Sequence, residues 1–237
     1  MKLITHTICV FLISLLCAGL FEIIIQPVPV GGASSLLTIL LLRKLTVSLC
    51  FIVPPIIYVI FVKDLSLRYL GLHRKKWFKR TLLGAAMSIP IIALWVFDFT
   101  LEYGSLPTLI SEPNFSFPSS LYGVDFPRLT LQQYFLFEVV NQLLVSVGEE
   151  VLFRGFLQTS LMESFGHKRG YFITVAVFTI LHLNTRVRLF PVLMDALLGG
   201  AILSFLYYKT RSLITPIATH YTSNLLERVL TVSLHFA

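Results

Sequence analysis

Charge is what this chain has least of. Only 13% of its 237 residues are Asp, Glu, Lys or Arg, while 56% are hydrophobic and the mean hydropathy is +0.82. A soluble domain carries roughly 25% charged residues, so the chain cannot cover a water-facing surface. A disordered chain and a collagen-like fibre are excluded on the same grounds. Cysteine is scarce too. Cys9, Cys17 and Cys50 all lie in apolar stretches, and no CxxC or Cys/His ligand spacing exists. Neither a disulfide framework nor a zinc knuckle is supported. Acidic residues (12) are fewer than basic ones (19), for a net charge of +7. The basic residues come in short clusters between apolar runs, the pattern that orients membrane proteins, and no nucleic-acid partner is expected. Internal repeats and low-complexity tracts are missing as well.

Apolar sequence of helix length is abundant. About 20 such residues span a bilayer, because hydrocarbon leaves no partner for an open backbone. A first span runs from Leu3 to Ile25, broken only by His6 and Glu22. It reads as a retained helix in preference to a cleaved signal peptide, since its apolar run continues beyond Ala18. A loop from Gln26 to Ser35 follows. The second span runs from about Leu45 to Val62, with Arg43 and Lys44 snorkelling at its start and Pro54-Pro55 as a kink. The basic segment Lys63 to Arg80 is expected in the cytoplasm, and Thr81 to Phe97 makes a third span. Residues 98–130 carry Asp98, Glu102, Glu112 and Asp125 against Arg128 and should face the other side.

Leu131 to Phe165 is one long helical pattern ending in the basic turn Gly166 to Gly170. Tyr171 to Leu183, a polar turn Asn184 to Arg188, Leu189 to Tyr208 and Ser212 to about Val232 complete the count. The expected fold is all-α, a polytopic membrane helix bundle of about seven transmembrane helices. It divides into N-terminal helices and loops (residues 1–130) and a helical core (131–237) within one integral membrane domain. Lacking organellar signals, the multi-pass chain fits a prokaryotic plasma (inner) membrane, where lipid is its first partner.

Ionisable groups inside a membrane are costly and are functional-site candidates by default. Residues 131–237 concentrate them. Glu149 and Glu150 are adjacent, so they point about 100° apart on the helix. Glu150 and Arg154 are four apart and can pair. His182 ends an apolar rise, and His220 and Asn224 sit one turn apart on the last helix. Measured from the basic turns at 1.5 Å per residue, Glu149, His182 and His220 lie roughly 24, 18 and 14 Å deep, which permits convergence. Glu138 reads as an interfacial residue and Asp195 as the partner of a buried polar group. His6, His73, His167 and His235 read as solvated.

Glu149-Glu150-x-x-x-Arg154, Phe178-x-x-x-His182 and His220-x-x-x-Asn224 stand in order. Together they resemble the three motifs of the CPBP family, the CAAX-processing and bacteriocin-processing intramembrane proteases related to the Ras-converting enzyme. The resemblance covers about Gln133 to Leu226. It implies an intramembrane endopeptidase in which Glu149 and His182 activate water while His220 and Asn224 stabilise the oxyanion. Residue types alone support the same division: a carboxylate–imidazole pair can share a water, two adjacent donors can face an oxyanion, and Glu150 and Arg154 support the rotation of Glu149. No cofactor is expected. Zinc held by Glu149, His182 and His220 is the alternative, although the usual HExxH signature is absent, as is a GxSxG nucleophile elbow. The substrate is a membrane-associated peptide, whether a prenylated tail or a leader. A catalytically silent membrane scaffold or regulator is the rival function, followed by a proton-coupled transporter.

Overall fold

The computed structural model of the chain describes residues 2–24, 33–103, 120–121, 124–125, 131–183 and 192–236. Nearly all of these are helical. The exceptions include a two-residue antiparallel ladder of β1 (Ser120–Leu121) and β2 (Val124–Asp125). The architecture is an all-α bundle of seven long helical rods among the described residues, as the sequence leads one to expect.

The first rod, α1 (Lys2–Ile24), packs along α2 (Ala33–Ile57). α2 starts some ten residues before the expected position, which corrects the placement of Arg43 and Lys44. They lie inside the helix, not at its start. Arg43 donates to the Glu22 side chain of α1, and Lys44 approaches the same carboxylate at 3.9 Å. That interhelical pairing lets two cations sit within an otherwise apolar rod. Pro54 and Pro55 remove two amide donors, and the helix passes into a π segment just beyond them, at Tyr58–Val62.

A 3₁₀ turn (Leu67–Leu70) leads to α3 (Trp77–Ala86) and α4 (Ser88–Tyr103), which together form the third rod. This rod begins at Trp77, earlier than the expected Thr81. The break at Met87 has a local cause: Pro90 has no N–H to give the Ala86 carbonyl, while Ser88 Oγ donates to the Ala85 carbonyl at 2.7 Å.

Leu131 to Phe165 is continuous, with the expected ends. It consists of α5 (Leu131–Glu150), a π segment (Val151–Gln158) and α6 (Thr159–Phe165). All eight residues of the π segment are buried, and the main core forms around Leu152 and Phe156 with Val59, Leu70 and Leu213. α7 (His167–Leu183) starts right after Gly166, so the expected basic turn is mostly the first turn of a helix. A third π segment (Val192–Gly199) continues into α8 (Gly200–Thr210), and α9 (Ile214–Phe236) closes the bundle against α3 and α5. The turn Asn184 to Arg188, Glu112, and the side chains of Asp98, Glu102, Asp125, Arg128, Asp195 and His235 lie outside the described residues.

Three stretches are long and apolar enough to cross a membrane: Leu3–Ile24, Leu37–Val62 and Trp77–Phe97. The protein is therefore an integral membrane protein. The later rods, expected to span as well, fall short of that measure among the described residues. They carry the charged and amide groups that make up the site. The turns between rods gather at one end. There Lys63 donates to Glu163 and to Tyr69, each at 2.8 Å, His73 contacts the Arg211 carbonyl at 3.1 Å, and Arg211 reaches His167 at 2.9 Å. His167 is exposed, as expected, while His73 is half-buried and engaged in contacts where solvation was expected. Burial pushes the Tyr69 phenol well up from its ordinary value, so it stays protonated and donates to Glu163 at 2.8 Å.

Candidate active site

Five of the rods build one cavity of about 160 Å³. Glu149 comes from the last turn of α5, His182 from the end of α7, and His220 and Asn224 from α9. All four expected side chains line it, together with Gly200 and Glu227. His220 is buried, and Glu149, His182 and Asn224 are partly open. The three helices thus bring these side chains to one cavity, the convergence that the depth reckoning permits.

Beneath the cavity lies a fully buried ion pair. Glu150 and Arg154 are both 0% exposed, and Arg154 Nη1 donates to Glu150 Oε1 at 2.8 Å. Arg154 is also held by the Gly200 carbonyl (3.2 Å) and Ser204 Oγ (3.4 Å), with its guanidinium 4.3 Å from the Phe178 ring centroid. The sequence paired Glu150 with Arg154 alone. The structure adds His220, whose Nδ1 stands 2.9 Å from the same Glu150 oxygen. A carboxylate oxygen only accepts, so Nδ1 carries the proton and Nε2 is left for other work.

His182 is anchored in the same way. Its Nδ1 donates to the Phe178 carbonyl at 2.8 Å and its ring lies 4.1 Å from the Phe178 ring. Phe178 is thus packed between the Arg154 guanidinium and the His182 imidazole. Gly200 makes that sandwich possible, because a Cβ there would stand 2.8 Å from Phe178 Cδ1. Gly200→Ala should displace the ring and cost about 1–3 kcal/mol of stability, the usual penalty of overpacking. A thermal melt checks this, and unchanged melting would show that Phe178 yields without consequence.

A second chain of polar contacts, which the sequence reading missed, ends on Asn224. Its amide Nδ2 donates to Gln142 Oε1 at 3.0 Å, and Gln142 Nε2 donates to Glu138 Oε2 at 2.7 Å. Asn141 donates to the same Glu138 oxygen at 3.2 Å. Glu138, expected near the membrane boundary, is buried in the protein, as are Asn141 and Gln142. A signal was present: Glu138, Gln142, Val145 and Glu149 follow spacings of four, three and four, which put them on one helical face. Glu227 is likewise four and seven residues beyond Ser223 and His220.

Metal-holding geometry is a separate question. Among the described residues, no three His, Cys, Asp or Glu side chains are grouped closely enough to hold a metal ion. Glu149, His182 and His220 share the cavity without such convergence.

The stretch that carries these contacts matches a known family. Residues 131–226 fit the model described as type II CAAX prenyl endopeptidase Rce1-like. The segment is Rce1-like. Its limits agree with the extent of the motif resemblance, and over those residues it supports a CAAX protease assignment. No curated protein and no solved structure matches the chain. The Rce1-like segment supports an intramembrane CAAX-type endopeptidase. Every polar contact of the cavity described above arises within it, including the Glu138–Gln142–Asn224 chain.

Proposed function

We propose that the protein cleaves a membrane-associated peptide with a water activated by Glu149 and His182. The observation that carries this reading is the convergence of Glu149, His182, His220 and Asn224 on one cavity. His182, with Nδ1 committed to a backbone carbonyl, orients the water through a hydrogen bond to Nε2, and Glu149 is the base that takes the water's proton. The water oxygen bonds to the scissile carbonyl carbon. The proton it gives up passes through Glu149 to the leaving amine as the C–N bond breaks. Negative charge on the carbonyl oxygen is met by Asn224 Nδ2–H and by His220 when Nε2 is protonated.

Glu150 and Gln142 are positioning residues in this scheme. Glu150 stabilises a charged His220 and is itself balanced by Arg154. Gln142 accepts one amide hydrogen of Asn224 and so turns the other away from itself. The substrate class is a prenylated tail or leader peptide held at the membrane, and the setting is a prokaryotic plasma membrane.

A zinc-dependent variant has one observation in its favour. Both histidines anchor Nδ1 on an oxygen, the arrangement common behind metal-ligating imidazoles. If zinc were bound, Glu149, His182 and His220 would be its ligands and it would polarise the water or carbonyl. The absence of a grouped ligand triad among the described residues and the poor ligand quality of an Asn amide favour the metal-free route. Purified protein incubated with a membrane-peptide library, with and without a strong chelator, tests both. Cleavage should persist in chelator with no stoichiometric zinc in the protein. Inactivation that zinc reverses would overturn the metal-free scheme, and no cleavage of any peptide would favour the silent-scaffold reading.

A further inference from the structure

A second concavity lies at the end of the bundle where the turns gather. Its volume is about 730 Å³, and Arg68, Arg74, Lys75, Arg80 and Arg211 line it together with His73. These come from the 3₁₀ turn, the loop before α3, the first turn of α3 and the α8–α9 turn. No carboxylate of the described residues lines the pocket. Among the described residues none of the five cations makes an ion pair, and Arg68, Arg74 and Lys75 make no side-chain hydrogen bond.

The wall of the pocket is built, not loose. Arg80 is fixed by the Lys75 carbonyl (2.8 Å), the Thr210 carbonyl (3.2 Å) and His73 (2.8 Å). Gly71, at φ +80°, lets the chain turn tightly against Tyr207 and Arg211, and its carbonyl accepts from Leu213 N–H at 3.1 Å. A side chain at that position would be both strained and obstructed. The pocket thus presents several unneutralised cations on a fixed floor.

Two further facts name the class of ligand. Trp77 and Phe78 stand beside these cations, 58% and 59% exposed, as aromatic residues do at the level of lipid headgroups. Behind them the apolar stretch Trp77–Phe97 exposes Leu82 and Ile89 where acyl chains would run. We propose that this basic pocket binds the phosphate of an anionic lipid headgroup. Charge of one sign at this end is ordinarily explained by membrane orientation alone. That explanation accounts for the segment 63–80, with seven basic side chains against Asp64. It does not account for cations from separate stretches meeting around one pocket. The proposal is independent of the peptidase reading, because its readout is lipid retention.

Lys76 and Lys79 supply the control. They belong to the same segment and are exposed, but they do not line the pocket. The full chain is assembled into nanodiscs of phosphatidylcholine, with or without phosphatidylglycerol as minor component. Lipid retained on the detergent-released protein is then counted by native mass spectrometry, with inorganic phosphate as a competing probe. Wild type should retain phosphatidylglycerol over phosphatidylcholine. Once the protein is released from the bilayer only direct contacts hold the lipid, and a hydrogen bond to a charged group is worth roughly 1.5 kcal/mol or more, so Arg74→Gln with Lys75→Gln should weaken retention about a hundredfold. Lys76→Gln with Lys79→Gln, an equal loss of charge, should stay close to wild type. Both double variants remove only exposed side chains and should melt like wild type in phosphatidylcholine. Equal weakening by the two pairs would reduce the effect to diffuse surface charge and overturn the proposal. A pocket that shows no preference for phosphatidylglycerol, whether or not inorganic phosphate protects the protein, would overturn it as well. Competition by inorganic phosphate alongside retained phosphatidylglycerol would support it and identify the phosphate as the recognised group.

Discussion

Glu149→Gln should abolish peptide cleavage and leave the melting temperature unchanged. The amide copies the shape of the carboxylate but cannot take a proton from water. General-base catalysis is worth roughly 10²- to 10⁴-fold in rate, and losing the proton relay to the leaving amine removes a second contribution of similar kind. Stability should be spared for a structural reason. Glu149 lines the cavity and is only half-buried, and its carboxylate makes no hydrogen bond among the described residues. Cleavage of a validated substrate and a thermal melt of the same preparation check both halves. Full activity in this variant would end the catalytic assignment of Glu149.

The neighbouring substitution, Glu150→Gln, should behave in the opposite way. Glu150 and Arg154 are both fully buried and bonded at 2.8 Å. Removing the negative partner leaves a buried guanidinium without a countercharge, which costs about 3–5 kcal/mol. Activity should fall too, because the same oxygen receives His220 Nδ1–H. An amide there no longer supports a charged imidazole at the oxyanion. A second variant separates charge from shape: Arg154→Gln combined with Glu150→Gln should recover part of the lost stability, as coupled partners do. Activity should stay low in the pair, since His220 still faces a neutral amide. If the Glu149 and Glu150 variants melt alike, Arg154 does not depend on Glu150 for its burial.

The bundle was legible to the extent that its determinants are local. The limits of the rod from Leu131 to Phe165 follow from apolar periodicity ending at Gly166. His220 and Asn224 share a face because four residues make about one turn. The start of α2 was misjudged because its two cations are neutralised by Glu22, on another helix, and no local window contains that partner. The His220–Glu150 bond joins residues 70 apart in the chain. Spacing could place each on its helix but not aim one at the other. Gln142 and Glu227 were different, since each lay on a face already marked by Glu149 or His220. They were passed over because a single polar residue in a membrane helix is usually a packing group.

The buried π segment at Val151–Gln158 carries a consequence for chain length. A helix in π register, whose bonds skip five residues where an α-helix skips four, holds more chain per turn than its neighbours. Such a stretch is how a rod absorbs an added residue without unwinding. Here it stands directly between the glutamates and the buried pair Gln158 and Thr159, which hold on to Ser204 and Tyr207 of α8. With that lower anchor in place, forcing the segment into α register with every residue kept would turn everything above it by about 100°. Glu150 would then be swung toward the direction Glu149 now takes. The identity of the water-facing carboxylate thus depends on the helical register of a segment that never touches the water.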